Sequence, residues 1–153
     1  MIFFPKRFAG TINLRIFALK IRKTMEKTAT IDLTTGLHRH LGMQLRHDDG
    51  GTALCLSVGP EHLTPFGTLS GGVMLALEET LAGILSVEAL DGQHPVGISV
   101  SANHLAAAHP GDLVTARGRA LHLGATTHVW QIELRGKSDR LLSTATVTNL
   151  IRR

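Results

Sequence analysis

The chain contains no tyrosine, a single tryptophan and a single cysteine in 153 residues, and its first 24 residues carry no aspartate or glutamate. Each shortage excludes something. One cysteine cannot close an internal disulfide. Cys55, inside the apolar run Ala53-Leu-Cys-Leu-Ser-Val58, reads as a small buried hydrophobe, and a reducing compartment, the cytoplasm, is expected. The scarcity of aromatics removes the stacking partners that nucleic-acid-binding surfaces interleave with their cations. The formal net charge of +4 does not restore that reading. Six of the 16 Lys and Arg (Lys6, Arg7, Arg15, Lys20, Arg22 and Lys23) precede Met25, and the 10 that follow stand against 12 acidic residues, a formal net of −2. Nucleic acid is not an expected partner. No apolar run reaches the roughly 20 residues of a transmembrane helix, because Arg15 and Lys20 interrupt the hydrophobic start.

The segment from Met1 to Thr24 mixes Phe3, Phe4, Phe8, Ile12, Phe17 and Ile21 with its cations. Three readings stay open: an organelle-import segment, an interfacial membrane helix, or a start assigned too early, with Met25-Glu-Lys-Thr28 opening the working protein. The remainder, residues 25–153, is expected to be one globular domain; the chain is 43% hydrophobic, enough for a sizeable core.

What is present concentrates in Thr64-Pro-Phe-Gly-Thr-Leu-Ser-Gly-Gly72 and the apolar stretch after it. The pattern predicts a glycine-rich loop that opens a helix over residues 72–88. The unpaired amides at a helix start suit a carbonyl oxygen gaining negative charge, so Gly71 and Gly72 are candidate donors, with Ser70 as N-cap. At 100° per residue, Val73, Leu77, Leu81, Ile84 and Leu85 form the apolar face. Glu79 lies away from it on a strip of small neighbours, Gly72, Ala76 and Gly83, with Ser86 slightly further round. Glu78 falls between the core edge and the open side. Spacing alone also allows both carboxylates to be ordinary solvated helix residues.

Around that helix the alternation predicts strands. Thr34–Arg39 reads as a short helix, Met43–Arg46 and Thr52–Val58 as strands joined at Asp48-Asp-Gly-Gly51, and Val96–His104, Leu113–Leu121, Thr126–Leu134 and Leu141–Leu150 as four strands in a meander. Thr115, Arg117 and Arg119 share one face; His128, Trp130, Ile132 and Leu134 share another. The fold class is α+β, an antiparallel sheet packed on one helix.

The order of these elements, Pro65-Phe-Gly-Thr-Leu-Ser-Gly-Gly72, Glu79, Val96-Gly-Ile-Ser-Val-Ser-Ala-Asn-His104, and Leu121-His-Leu-Gly-Ala125 with Val129-Trp-Gln-Ile-Glu133 resemble the hotdog-fold acyl-CoA thioesterases. They are most similar to the branch containing 1,4-dihydroxy-2-naphthoyl-CoA hydrolase and the enterobactin-pathway proofreading thioesterase. The resemblance runs from about Gly36 to Leu150. It implies a sheet wrapped around the helix, homodimers that join their sheets edge to edge with active sites at the subunit interface, and often a dimer of dimers. It implies an acyl-CoA or aryl-CoA substrate and no separate cofactor. By position Glu79 matches the catalytic carboxylate, general base or nucleophile, and Gly71 and Gly72 match the loop that polarises the thioester carbonyl. Asn103 and His104 match a segment near the thioester and pantetheine arm; His122, Gly124, Ala125 and Thr126 match a hairpin that contacts CoA phosphates, where Arg152 or Arg153 could assist.

Three departures stand out. The family usually has His where this chain has Ser70, often Gln where it has Thr64, and Ser or Thr where it has Gly83. Thr80 lies 100° round the helix from position 83 and is a poor substitute. The expected function is hydrolysis of an acyl- or aryl-CoA thioester; the alternative, motivated by these losses, is a non-catalytic hotdog domain that binds acyl thioesters or acts in assembly. The nine histidines, His38 and His40 among them, have no accompanying ligand cluster at metal spacing.

Overall fold

In a computed structural model, residues 31–90 and 93–152 are described; the readings of the first 24 residues fall outside them. Ile31–Arg153 form one compact unit.

The chain enters through a short helix, α1 (Gly36–His40), and a hairpin of β1 (Gln44–Asp48) and β2 (Gly51–Ser57). Asp48 pairs with Gly51 across a two-residue turn, and Gly51 takes the positive φ of +92° that L-residues avoid. A single 3₁₀ turn, Pro60–His62, leads to the central helix α2 (Gly71–Ala89). Then follow β3 (His94–His104), β4 (Leu113–Leu123), β5 (Thr127–Arg135) and β6 (Leu141–Arg152). All six strands form one antiparallel sheet in the order β1-β2-β4-β5-β6-β3, and α2 packs against β2 to β6.

The expected four-strand meander is corrected at its first member. β4, β5 and β6 do form a meander, but β3 pairs with β6, not with β4. The reason lies in β2, whose residues Ala53 to Leu56 are all buried and which therefore needs a neighbour on both sides. The chain after β3 crosses over, with the amides of Leu105 and Ala106 on the Leu142 carbonyl, and β4 enters beside β2. Among the described residues β3 and β1 are the two edges of the sheet. The alternation along β5 is as expected: His128, Trp130, Ile132 and Leu134 are buried, and their neighbours are not. Cys55 is buried as a free thiol.

α2 is buried over more of its circumference than one apolar stripe provides. Met74, Leu77, Glu78, Leu81, Ala82, Ile84 and Ser86 are inside, whereas Val73 and Leu85 are only partly covered. Glu78 and Ser86 are thus corrected from the helix margin to its interior. Ser86 has a structural task there: its Oγ accepts from Trp130 Nε1 at 2.8 Å and lies 2.9 Å from Asn149 Nδ2, which also donates to the Ala82 carbonyl. This clasp ties α2 to β5 and β6. Replacing Ser86 by Ala leaves a buried indole N–H without its acceptor, and chemical denaturation should show a loss of about 1–3 kcal/mol.

Candidate active site

The site is built along α2, at its first turn and from Glu79 onward. At its start, Ser70 is extended (φ −64°, ψ 136°) and occupies the N-cap position, but its hydroxyl makes no cap hydrogen bond, which corrects that part of the expectation. Its carbonyl accepts from Val73 and Met74, and no acceptor for the amides of Gly71 or Gly72 is found among the described residues. Two N–H groups at the positive end of a five-turn helix are therefore available to an oxygen. Thr64 holds its own loop: its amide donates to the Thr68 carbonyl, and its hydroxyl lies 3.2 Å from Thr68 Oγ1 and accepts from the Phe66 amide. The Thr64 hydroxyl is thus spent on loop geometry.

Two turns along, Glu79 is exposed and stands over β3. A Cβ on Gly97 would lie 2.7 Å from Glu79 Oε1, so a larger residue at 97 would shift the carboxylate from this position. Sequence reasoning missed Gly97; its signal was a glycine inside a strand, between Val96 and Ile98, where a close approach is a common reason. Glu79, Thr80, Gly83, Ile84 and Val87 line one side of a cavity of about 450 Å³, and Ile31, Leu33, Leu37, Pro95 and Gly97 line much of the other. Gly83 has nothing within 4 Å of where its Cβ would be, so the lost hydroxyl leaves room in the cavity. Thr80 contributes to the same cavity in spite of its angular offset.

The remaining candidates divide between the helix start and the β4–β5 hairpin. His104 belongs to the helix start: its ring lies 2.9 Å from where a Gly71 Cβ would sit, and its Nδ1 is 3.0 Å from Ser143 Oγ. Asn103 is exposed, and its carbonyl accepts from Ser143. His122, Gly124, Ala125 and Thr126 lie at the β4–β5 hairpin, where the Gly124 amide donates to Thr127 and the Thr126 carbonyl accepts from Ile151. Arg152, exposed and paired in register with His94, is at that end of the sheet; Arg153 lies outside the described residues. The buried His128 of that hairpin is held below the usual imidazole value, first by burial and then by His122. Among the described residues no group of three or more His, Cys, Asp or Glu is placed to hold a metal ion, and no helix is long and apolar enough to cross a membrane.

Glu78 is completely buried, and neither carboxylate oxygen has a hydrogen-bond partner of good geometry among the described residues. Burial raises its pKa above the ordinary 4.5, and the neighbouring Ser143 hydroxyl opposes this more weakly. The folded state therefore binds the proton more tightly than the unfolded chain. Stability falls as pH rises above about 4.5 and levels off once Glu78 ionises in the folded protein. Glu78→Gln should remove this slope, measured as the difference in denaturation midpoint between variant and wild type from pH 4 to 8.

Glu79 and Gly71 are eight residues apart on one straight helix, about 12 Å along its axis. One chain does not bring them onto a single carbonyl.

A sheet curled on one long helix, with free amides at its start and a carboxylate over an apolar cavity, is the architecture of the hotdog thioesterases. The model of the thioesterase superfamily matches residues 66–143. A 1,4-dihydroxy-2-naphthoyl-CoA hydrolase of Listeria monocytogenes is 33% identical over 120 residues, covering 77% of this chain and 97% of the relative. A proofreading thioesterase of Cronobacter turicensis is 34% identical over 121 residues, covering 75% and 85%. The crystal structure of a Haemophilus influenzae thioesterase aligns with a TM-score of 0.75 at 29% identity, covering 82% of this chain and 94% of that one. The chain belongs to the thioesterase superfamily. It is a thioester hydrolase with the hotdog fold.

Proposed function

We propose that this protein hydrolyses an acyl- or aryl-CoA thioester to the free acid and CoA, at a site shared by two copies of the chain. The observation that carries the reading is the separation along α2: free amides at Gly71 and Gly72, and about 12 Å away a carboxylate over an apolar cavity. A second copy, facing the first, closes that gap. Its Glu79 meets the amides of the first chain, and the reverse holds at the second site, as a two-fold interface requires. The surface for this is β3, an eleven-residue edge strand whose Val96, Ile98 and Val100 are exposed. Two such dimers pair into a tetramer.

In the proposed chemistry the amides of Gly71 and Gly72 hold the thioester oxygen as it gains charge, and Glu79 either takes the proton of the attacking water or attacks the carbonyl itself. The acyl or aryl group lies in the cavity beside Gly83. The CoA phosphates lie toward the His122–Thr126 hairpin and Arg152, and Asn103 and His104 line the approach of the pantetheine arm. No metal or redox cofactor takes part. The protein works in the cytoplasm, where Cys55 stays reduced. Free-thiol release from a panel of acyl- and aryl-CoA esters tests this: turnover ranks the substrates, and saturable binding without release would refute it.

A further inference from the structure

Phe66 is the only phenylalanine among the described residues, and it is 91% exposed. The turn that carries it is nonetheless fixed. Gly67, at a φ of +78°, donates its amide to the Thr64 carbonyl at 3.0 Å, the Thr64 amide donates to the Thr68 carbonyl at 2.8 Å, and Leu63 bridges Leu69. Beyond the bridge, the Leu69 amide is held by the Ala108 carbonyl and the Ser70 amide by that of His62. A large apolar ring left in water on a backbone already ordered is a preformed anchor, since burying it does not require the loop to be ordered first. The cavity beside Glu79 has the complementary lack. Its walls include Ile31, Leu33, Leu37, Ile84, Val87 and Pro95 around about 450 Å³, and Leu37 is 56% exposed.

Two-fold symmetry brings the ring and the cavity together. Identical edge strands that pair across a two-fold axis run antiparallel, and so do the helices packed on them. In each copy Glu79 stands over Gly97, and Gly71 lies beside His104. Placing Glu79 of one copy at the amides of the other therefore sets Gly97 opposite His104, with the axis near Val100. Past that point the second α2 continues beyond the start of the first. From Glu79 to Val87 it runs about 12 Å, alongside the segment that precedes Gly71. Phe66 is in that segment, five residues before Gly71 and at most about 17 Å from it.

We infer that Phe66 of each chain enters the cavity of the other and forms the outer wall of its acyl-binding space, so that the residue at 66 helps set which acyl or aryl groups are accepted. The inference rests on the shared-site hydrolase reading, and its primary test needs no turnover. The photoreactive analogue p-benzoylphenylalanine is placed at position 66 of the full-length protein, which exchanges subunits with a ¹⁵N-labelled wild-type chain and is then irradiated. The analogue should attach to residues 79–87 or 31–38 of the labelled chain. After confirmed exchange, no attachment to those segments of the labelled chain overturns the proposal. The second test reads specificity. Phe66→Ala should keep the fold, because the ring is exposed within its own chain, and should raise kcat/KM for bulkier esters relative to smaller ones by about 10-fold or more. In hybrids of a Glu79→Gln copy with a Gly71→Pro copy, one site per dimer keeps both native parts. The shift should appear when Phe66→Ala is carried by the Glu79→Gln copy, whose loop serves that site, and not when the Gly71→Pro copy carries it. The reverse result would put Phe66 over its own chain's cavity and overturn the proposal. Attachment across chains in a protein that releases no thiol from any ester would support the wall and refute the hydrolase reading.

Discussion

Glu79→Gln should lower kcat for thioester hydrolysis by about 10²–10⁴-fold, the usual value of a positioned general base. The fold and the assembly should survive. Glu79 is exposed, makes no hydrogen bond or ion pair among the described residues, and is replaced by an amide of nearly the same shape. KM should change little, because the other residues of the cavity wall remain in place. Steady-state thiol release, with thermal unfolding and size-exclusion profiles as controls, checks this. A variant that turns over at the wild-type rate removes Glu79 from the mechanism in both of its proposed roles, since an amide is neither base nor nucleophile here.

The second large effect separates the two parts of the site along α2. Gly71→Pro deletes one of the free amides, and the backbone suits it: Ser70 before it is extended, as a residue preceding proline prefers, and the first helical position has no intrahelical bond to lose. The ring also displaces the His104 side chain from its contact with the helix start, so Gly71→Ala, which keeps the amide and moves His104 alike, is the control. Turnover should fall by about 10²–10³-fold. Mixing this variant with Glu79→Gln and allowing subunits to exchange should restore about a quarter of wild-type activity, because roughly half of the dimers are then hybrid and each hybrid has one site with both native parts. A site contained in one chain would recover nothing. Confirmed exchange without recovered turnover therefore refutes the shared site.

The parts of this fold that a sequence displays are those set by near neighbours. The Asp48-to-Gly51 turn, the alternation of His128 to Leu134 and the loop-to-helix start at Gly71 all follow from local geometry, and the structure has them. Strand order does not: β3 and β4 are adjacent in the chain and apart in the sheet, because β4 pairs with β2, whose partners run from Ala53–Arg117 to Ser57–Leu113, far apart in the sequence. The helical wheel failed for Glu78 and Ser86 for a related reason. It assumes one wet side, and a sheet that curls around α2 leaves much less of the helix wet. At the site, the residue types and their spacing identified Glu79 and the two glycines as candidates. They could not reveal that Thr64 is occupied by its own loop, that Glu79 lies close over Gly97, or that Ser143 bonds both His104 and the Asn103 carbonyl.

The exposed strand β3 also sets a hazard for the newly made chain. Its unpaired backbone and its outward Val96, Ile98 and Val100 accept any extended apolar segment as readily as a second β3. In the dimer proposed above, pairing is second order in concentration, so at low concentration a folded monomer would persist longer with this edge uncovered. Clumping of folded chains through that edge is second order as well and slows equally on dilution, so the competitor that gains is any other extended apolar segment held at fixed concentration around the chain.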